Sequence, residues 1–176
     1  MSNDITVADA AQLGVEQVYW HLRQNKPEDL EVYSDISGLD VNGGTIPPDV
    51  LVTQSRPDLV LLNRNEKTIC LLELTCSFER NAEAANLRKS LRYTTLKNDL
   101  EDSGYKCLLV PFEVGSRGYI SRATKSNIFN IFLTMKISAK PFHCVKNMAK
   151  LSLLSSYTIF HAYTQPTWRD PPFLTT

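Results

Sequence analysis

The chain has 176 residues, with 19 Lys+Arg against 19 Asp+Glu and a hydrophobic fraction of 43%. That length suits one domain with a real core, and the composition excludes wholesale disorder. No apolar run approaches the roughly 20 residues that a membrane-spanning helix needs.

In chain order, residues from about Thr6 to Asn25 read as a helix, because Ala8, Ala11, Val15, Val18, Tyr19 and Leu22 recur at helical spacing before Lys26-Pro27. Glu31 to Ile36 is a short alternating strand, and Gly38 to Pro48, rich in Gly, Asn and Pro, is a loop. Pro57 to Leu62 reads as a buried strand. Polar turn residues Asn63 to Lys67 then lead into a hairpin partner over Thr68 to Thr75. Arg80 to Asp102 is predicted as one long helix stopped by Ser103-Gly104, and Tyr105 to Val114 as another strand. Helices over about Ser121 to Met135 and Pro141 to His161 precede a Pro-rich tail. Phe129 to Met135 and Leu151 to Phe160 are apolar at helical spacing and are expected in the core. Strands interleaved with helices predict an α/β sandwich around a mixed sheet. One domain is expected over 1–176, with the core sheet and central helix in 30–115 and a basic helical extension with the tail in 116–176.

The balanced total hides a charge dipole. Residues 1–60 carry ten acids and three bases, whereas 61–176 carry nine acids and sixteen bases. From Val114 to Arg169 there are eight bases and no acid. A basic half suits a phosphate-rich partner, and equally an ordinary solvated surface.

Cys70, Cys76, Cys107 and Cys144 lack metal-site spacing with each other or with His21, His143 and His161, so buried thiols are expected. Reduced thiols and an acidic start unlike a secretory leader (Met1, Ser2, Asn3, Asp4) lead to the expectation of an intracellular protein, cytoplasmic or nuclear. No phosphate-binding loop or nucleophile elbow occurs.

Each apolar hairpin strand contains one carboxylate. A turn near residues 65–66 would bring Asp58 and Glu73 opposite one another. Paired carboxylates are costly unless neutralised, and hard oxygen donors of this kind suit Mg²⁺ or Mn²⁺. A surface Asp at a strand start beside a salt-bridged rim Glu would explain the same two residues.

Arg56-Pro57-Asp58 followed by Glu73-Leu74-Thr75 resembles the PD-(D/E)XK, or restriction-like, nuclease signature. With Phe78-Glu79, Lys89 and Arg92-Tyr93, and with Pro111 to Tyr119, it is most similar to the restriction-like endonuclease domain of site-specific LINE-type retrotransposons. The resemblance covers the chain from about Tyr33 onward. It implies a restriction-endonuclease-like α/β/α core with a central mixed sheet of four to five strands and extra C-terminal helices. It also implies metal-dependent hydrolysis of DNA, with Asp58 and Glu73 as metal ligands for Mg²⁺ (Mn²⁺ as a substitute). The usual lysine position is Thr75 here, and Lys89 on the following helix matches the displaced catalytic lysine. Glu16 on the first helix is a further catalytic candidate, or a solvent-facing residue; the role of Glu79 stays open. Arg56, Arg80, Arg92, Tyr93, Arg117, Arg122 and Lys125 are expected on nucleic acid, although Tyr93 would also suit a core. A homodimer would serve double-strand cutting, and no membrane or organic cofactor is expected. A silent nuclease-fold module that binds nucleic acid, or a protein-interaction domain, is the alternative.

Overall fold

The apolar run Leu59-Val60-Leu61-Leu62 is wholly buried and forms the middle of a sheet. Strands covered on both faces read as continuous apolar runs, which is what this segment shows. The computed structural model describes residues 16, 18–35, 46–77, 91 and 93–164, with the backbone alone at 75–77, 155, 158–159 and 162–163. Helix α1 is described over 18–25, and the earlier part of the helix predicted from Thr6, apart from Glu16, lies outside the described residues. Then come β1 (Leu30–Ser34), β2 (Leu59–Asn63), β3 (Thr68–Ser77), α2 (Thr94–Asp102), β4 (Lys106–Gly115), α3 (Arg122–Thr134) and α4 (Pro141–Tyr163).

The four strands form one sheet in the order β1-β2-β3-β4. β1, β2 and β3 are antiparallel neighbours, while β3 and β4 run parallel. The sheet is therefore mixed, as the alternation of elements predicted. Parallel neighbours need a crossover, and α2 lies within it.

Side chains alternate across the sheet and build two cores. On one face Leu59, Leu61, Leu72, Val110 and Phe112 pack against Val18 and Leu22 of α1, Ile128 and Phe132 of α3, and Cys144 and Met148 of α4. On the other, Val60, Leu62, Ile69, Leu71 and Cys107 pack against Leu96 and Leu100 of α2, with Tyr93, Ile46 and Val50. Helices cover both faces, giving the α/β/α layering. Burying each of these Leu, Ile and Phe side chains contributes about 1.5–3 kcal/mol.

Local signals hold at the helix ends. Ser121 accepts from the Thr124 N–H at 3.0 Å and caps α3. Gly104, at φ 87°, ends α2, and the N–H of Tyr105 reaches back to the Leu100 carbonyl at 3.1 Å.

Two expectations are corrected. The predicted helix over 80–102 is not continuous, because Tyr93 sits in a turn and α2 begins at Thr94. The Tyr93 ring is drawn into the core there, which a surface position on an unbroken helix would not allow. Second, the Leu151–Phe160 stretch does not stay in the core: Leu153, Leu154, Tyr157 and Phe160 are exposed. Helix α4 packs through Met148, and Ser152 still bonds the Gly115 carbonyl, but beyond that crossing its apolar side faces solvent. Phe129 and Leu133 of α3 are exposed as well, while Ile131, Phe132 and Met135 of that run are buried. No described helix is long and apolar enough to cross a membrane.

Candidate functional site

The hairpin register places the two sequence-predicted carboxylates opposite one another. Leu59 pairs with Leu72 at the end of the β2–β3 ladder, so one step further Asp58 faces Glu73. Each carboxylate then accepts an amide from the neighbouring strand. The Leu74 N–H donates to Asp58 Oδ2 at 2.7 Å, and the Asp58 N–H donates to Glu73 Oε2 at 3.3 Å. By alternation with Val60 and Leu71, both side chains belong to the face covered by α2. Glu73 is 4% exposed, so its carboxyl group is held inside the protein rather than at the rim.

Neighbouring groups fix Asp58 from the other side. Its carbonyl accepts the Asp35 N–H at 3.2 Å and the Ser34 hydroxyl at 3.4 Å, which ties it to the end of β1. The Tyr93 hydroxyl donates to the Arg56 carbonyl at 3.1 Å, holding the segment that leads into Asp58. The Arg56 guanidinium donates through Nε to Asp35 Oδ1 at 2.6 Å. The acid pair is thus built on backbone held from β1, β3 and the turn before α2.

Its donors are hard oxygens, the chemistry that Mg²⁺ and Mn²⁺ prefer. A carboxylate offers about four acceptor positions. By donor chemistry Asp58 and Glu73 fit a share of such an ion's coordination shell. Among the described residues, no group of three or more His, Cys, Asp or Glu side chains is arranged to hold a metal. Cys70, Cys107 and Cys144 are buried thiols, each pushed up to about 12 by burial, which makes them poor ligands and poor nucleophiles.

With that geometry established, three comparisons with known proteins give little more. No family model matches the chain. No curated protein matches it. Among solved structures it is similar to an N-terminal domain of a reptarenavirus L protein, over 84% of this chain and 76% of that one, at 14% identity and a TM-score of 0.46. That likeness is too loose to carry a residue or an activity across.

Tyr93, expected on nucleic acid, is 1% exposed and acts as a core aromatic that holds the segment before Asp58. Glu16 is half-buried and helical, just before α1, whose packing residues lie on the face opposite to Asp58 and Glu73. Arg117, Arg122 and Lys125 are exposed beyond β4. Lys89, Arg80, Arg92 and Glu79 lie outside the described residues.

One acid at the sheet received no role from the sequence. Glu113 is 8% exposed in β4, level with Thr75, and alternates with Phe112 and Val114 toward the Asp58–Glu73 face. A lone acid inside an apolar strand is the signal that would have found it, the same signal that singled out Glu73. Elsewhere Glu31 and Asp49 pair with Arg64, Asp35 with Arg56, and Glu66 with Lys136. In Glu31 burial pushes the carboxyl up, but the Arg64 and Tyr33 hydrogen bonds prevail and hold it below its ordinary value.

Proposed function

We propose that this domain is a metal-dependent endonuclease that hydrolyses DNA phosphodiester bonds, of the restriction-like kind its motifs resemble. The observation that carries this reading is the cross-strand pair Asp58–Glu73, each accepting an amide from the opposite strand. A pair of rigid carboxylates on adjacent strands is expensive to keep for structure alone, since an apolar pair would pack with less cost.

Asp58 and Glu73, with the Leu74 carbonyl, would hold Mg²⁺ or Mn²⁺. When bound, the ion supplies Lewis-acid polarisation of a phosphoryl oxygen and a water of lowered pKa. The protein's own part is to hold both carboxylates on strand backbone, so that little reorganisation is needed when substrate arrives. Tyr93 and Ser34 hold the backbone on either side of Asp58. Lys89, following the motif, would present its ammonium to the scissile phosphate in place of the lysine that Thr75 replaces. Arg117, Arg122 and Lys125 would grip phosphates without reading sequence.

The test is a nicking assay on plasmid and single-stranded DNA with Mg²⁺, Mn²⁺ or EDTA, beside Asp58→Asn, Glu73→Gln and Lys89→Ala. Metal-dependent nicking that falls at least about 100-fold in the two carboxylate variants supports the enzyme. Nicking that survives both variants overturns it. DNA binding without cleavage by the wild type would favour the silent module, for which Thr75 at the lysine position speaks.

A further inference from the structure

Helix α4 carries a surface that the cleavage site leaves unexplained. Lys146, Lys150, Leu153, Tyr157 and Phe160 recur at three- and four-residue steps, which aligns them along one side of the helix. All five are exposed, Tyr157 at 64% and Phe160 at 68%. Cys144, Val145 and Met148, on the other side, are buried against the sheet. At 1.5 Å per residue the stripe from Lys146 to Phe160 is about 21 Å long.

A second segment lies against the middle of this helix. The Ser152 hydroxyl donates to the Gly115 carbonyl at 2.7 Å. Gly118 adopts φ +78°, and a Cβ there would come within 2.6 Å of the Ala149 carbonyl oxygen, so only glycine allows the approach. The crossing sets Gly118 against Ala149 and Leu153 of the stripe's side, and its chain neighbours Arg117 and Tyr119 are both exposed.

No acid occurs between Val114 and Arg169. Among the described residues neither Lys146 nor Lys150 forms an ion pair. Two exposed lysines on one helix line without an acidic partner favour a polyanion. The rings then decide its form. A duplex offers phosphates outside but keeps its base faces stacked within, so exposed Tyr and Phe rings on the same line as the lysines would gain nothing from it. A single strand offers both phosphates and base faces. A helix lying on a bilayer would instead set its lysines on a face apart from its apolar one, and the opposite face here is already occupied by the core.

We propose that this stripe is a binding track for single-stranded nucleic acid, with Lys146, Lys150 and Arg117 on phosphates and Tyr119, Tyr157 and Phe160 stacked on bases. The inference rests on the nucleic-acid reading above and deepens it to the form of the substrate, but it does not depend on cleavage.

Fluorescence anisotropy in EDTA, with labelled single-stranded and duplex 20-mers of one sequence, tests it. The wild type should bind the single strand about tenfold or more tightly than the duplex. Tyr157→Leu with Phe160→Leu keeps an apolar, helix-compatible surface and removes both rings. It should cost about tenfold on the single strand and leave the duplex unchanged. Lys146→Gln with Lys150→Gln should weaken both ligands and lower the single-strand salt slope by about 1.4. Equal affinity for the two forms, or no effect of the ring variants, overturns the track. Binding to anionic phosphatidylserine vesicles, lost in the ring variants while oligonucleotide binding is not, also overturns it. Asp58→Asn measured in parallel separates the two readings. Single-strand preference without any wild-type cleavage sinks the nuclease and leaves the track, whereas cleavage with indifferent ring variants does the reverse.

Discussion

Asp58 and Glu73 sit opposite each other at the end of the β2–β3 ladder, and each accepts an N–H from the strand that carries the other: Leu74 to Asp58 Oδ2 at 2.7 Å, Asp58 to Glu73 Oε2 at 3.3 Å. The proposed ligands are therefore also structural hydrogen-bond acceptors, and the two roles can be separated by substitution. Asp58→Asn keeps a carbonyl oxygen for the Leu74 N–H, whereas Asp58→Ala removes it. Urea denaturation should place the Ala variant about 1 kcal/mol below the Asn variant, with both inactive in cleavage.

Ion binding has a readout that needs no substrate. A ligand that binds only the folded state at 100 times its Kd adds about 2.7 kcal/mol, and each kcal/mol moves Tm by about 2–4 °C for a chain of this size. Mg²⁺ or Mn²⁺ should raise the wild-type Tm by several degrees over EDTA and leave Asp58→Asn and Glu73→Gln unmoved. An equal rise in all three would assign the ion to another place.

Tyr93→Phe keeps the buried ring and deletes the hydroxyl that holds the Arg56 carbonyl. The expected loss is about 0.5–1.5 kcal/mol of stability. If that bond positions Asp58, nicking at saturating metal falls as well, while duplex and single-strand binding do not. Unchanged turnover would confine Tyr93 to packing.

His21 gives a pH dependence. Burial, and to a lesser degree the charge of His143, holds its imidazole below the ordinary value of 6.5. Its ring stacks on Phe132 at 6.0 Å. Below pH 6.5 the unfolded chain takes up a proton there that the folded one resists, so stability drops as pH falls through that window. Between about pH 7.5 and 5.5 the wild type should lose more Tm than His21→Gln. Parallel losses would show that other groups control the transition.

Cys70, Cys107 and Cys144 are buried, with thiols pushed up to about 12. Peptide mapping after iodoacetamide treatment near pH 8 should find all three unmodified in the native protein and modified in urea. Rapid native labelling of any one would mean that its core opens locally.

The hairpin was legible because short-range spacing decides it. Apolar runs over 57–62 and 68–75 around polar turn residues allow few registers, and the Asp58–Glu73 pairing follows from the observed one. The stops at Lys26-Pro27 and Ser103-Gly104, the Ser121 cap and the segregation of charge are equally local. Tyr93 was not legible in the same way: an aromatic beside an arginine suits a surface or a core, and only the approach of the Arg56 carbonyl makes it a core residue.

Among the described residues the sequence by itself determined the four strands, most of the helices (the break at Tyr93 excepted) and which two acids meet, since these depend on residues near one another along the chain. The tertiary structure decided which face each helix covers. It set α1 against the face opposite to the acid pair and brought α4 to the Gly115–Gly118 turn, leaving Leu153, Tyr157 and Phe160 in solvent. An apolar helical period shows that a face exists, but what covers it depends on where the sheet and its turns run out, and that is fixed by packing between segments far apart in the chain.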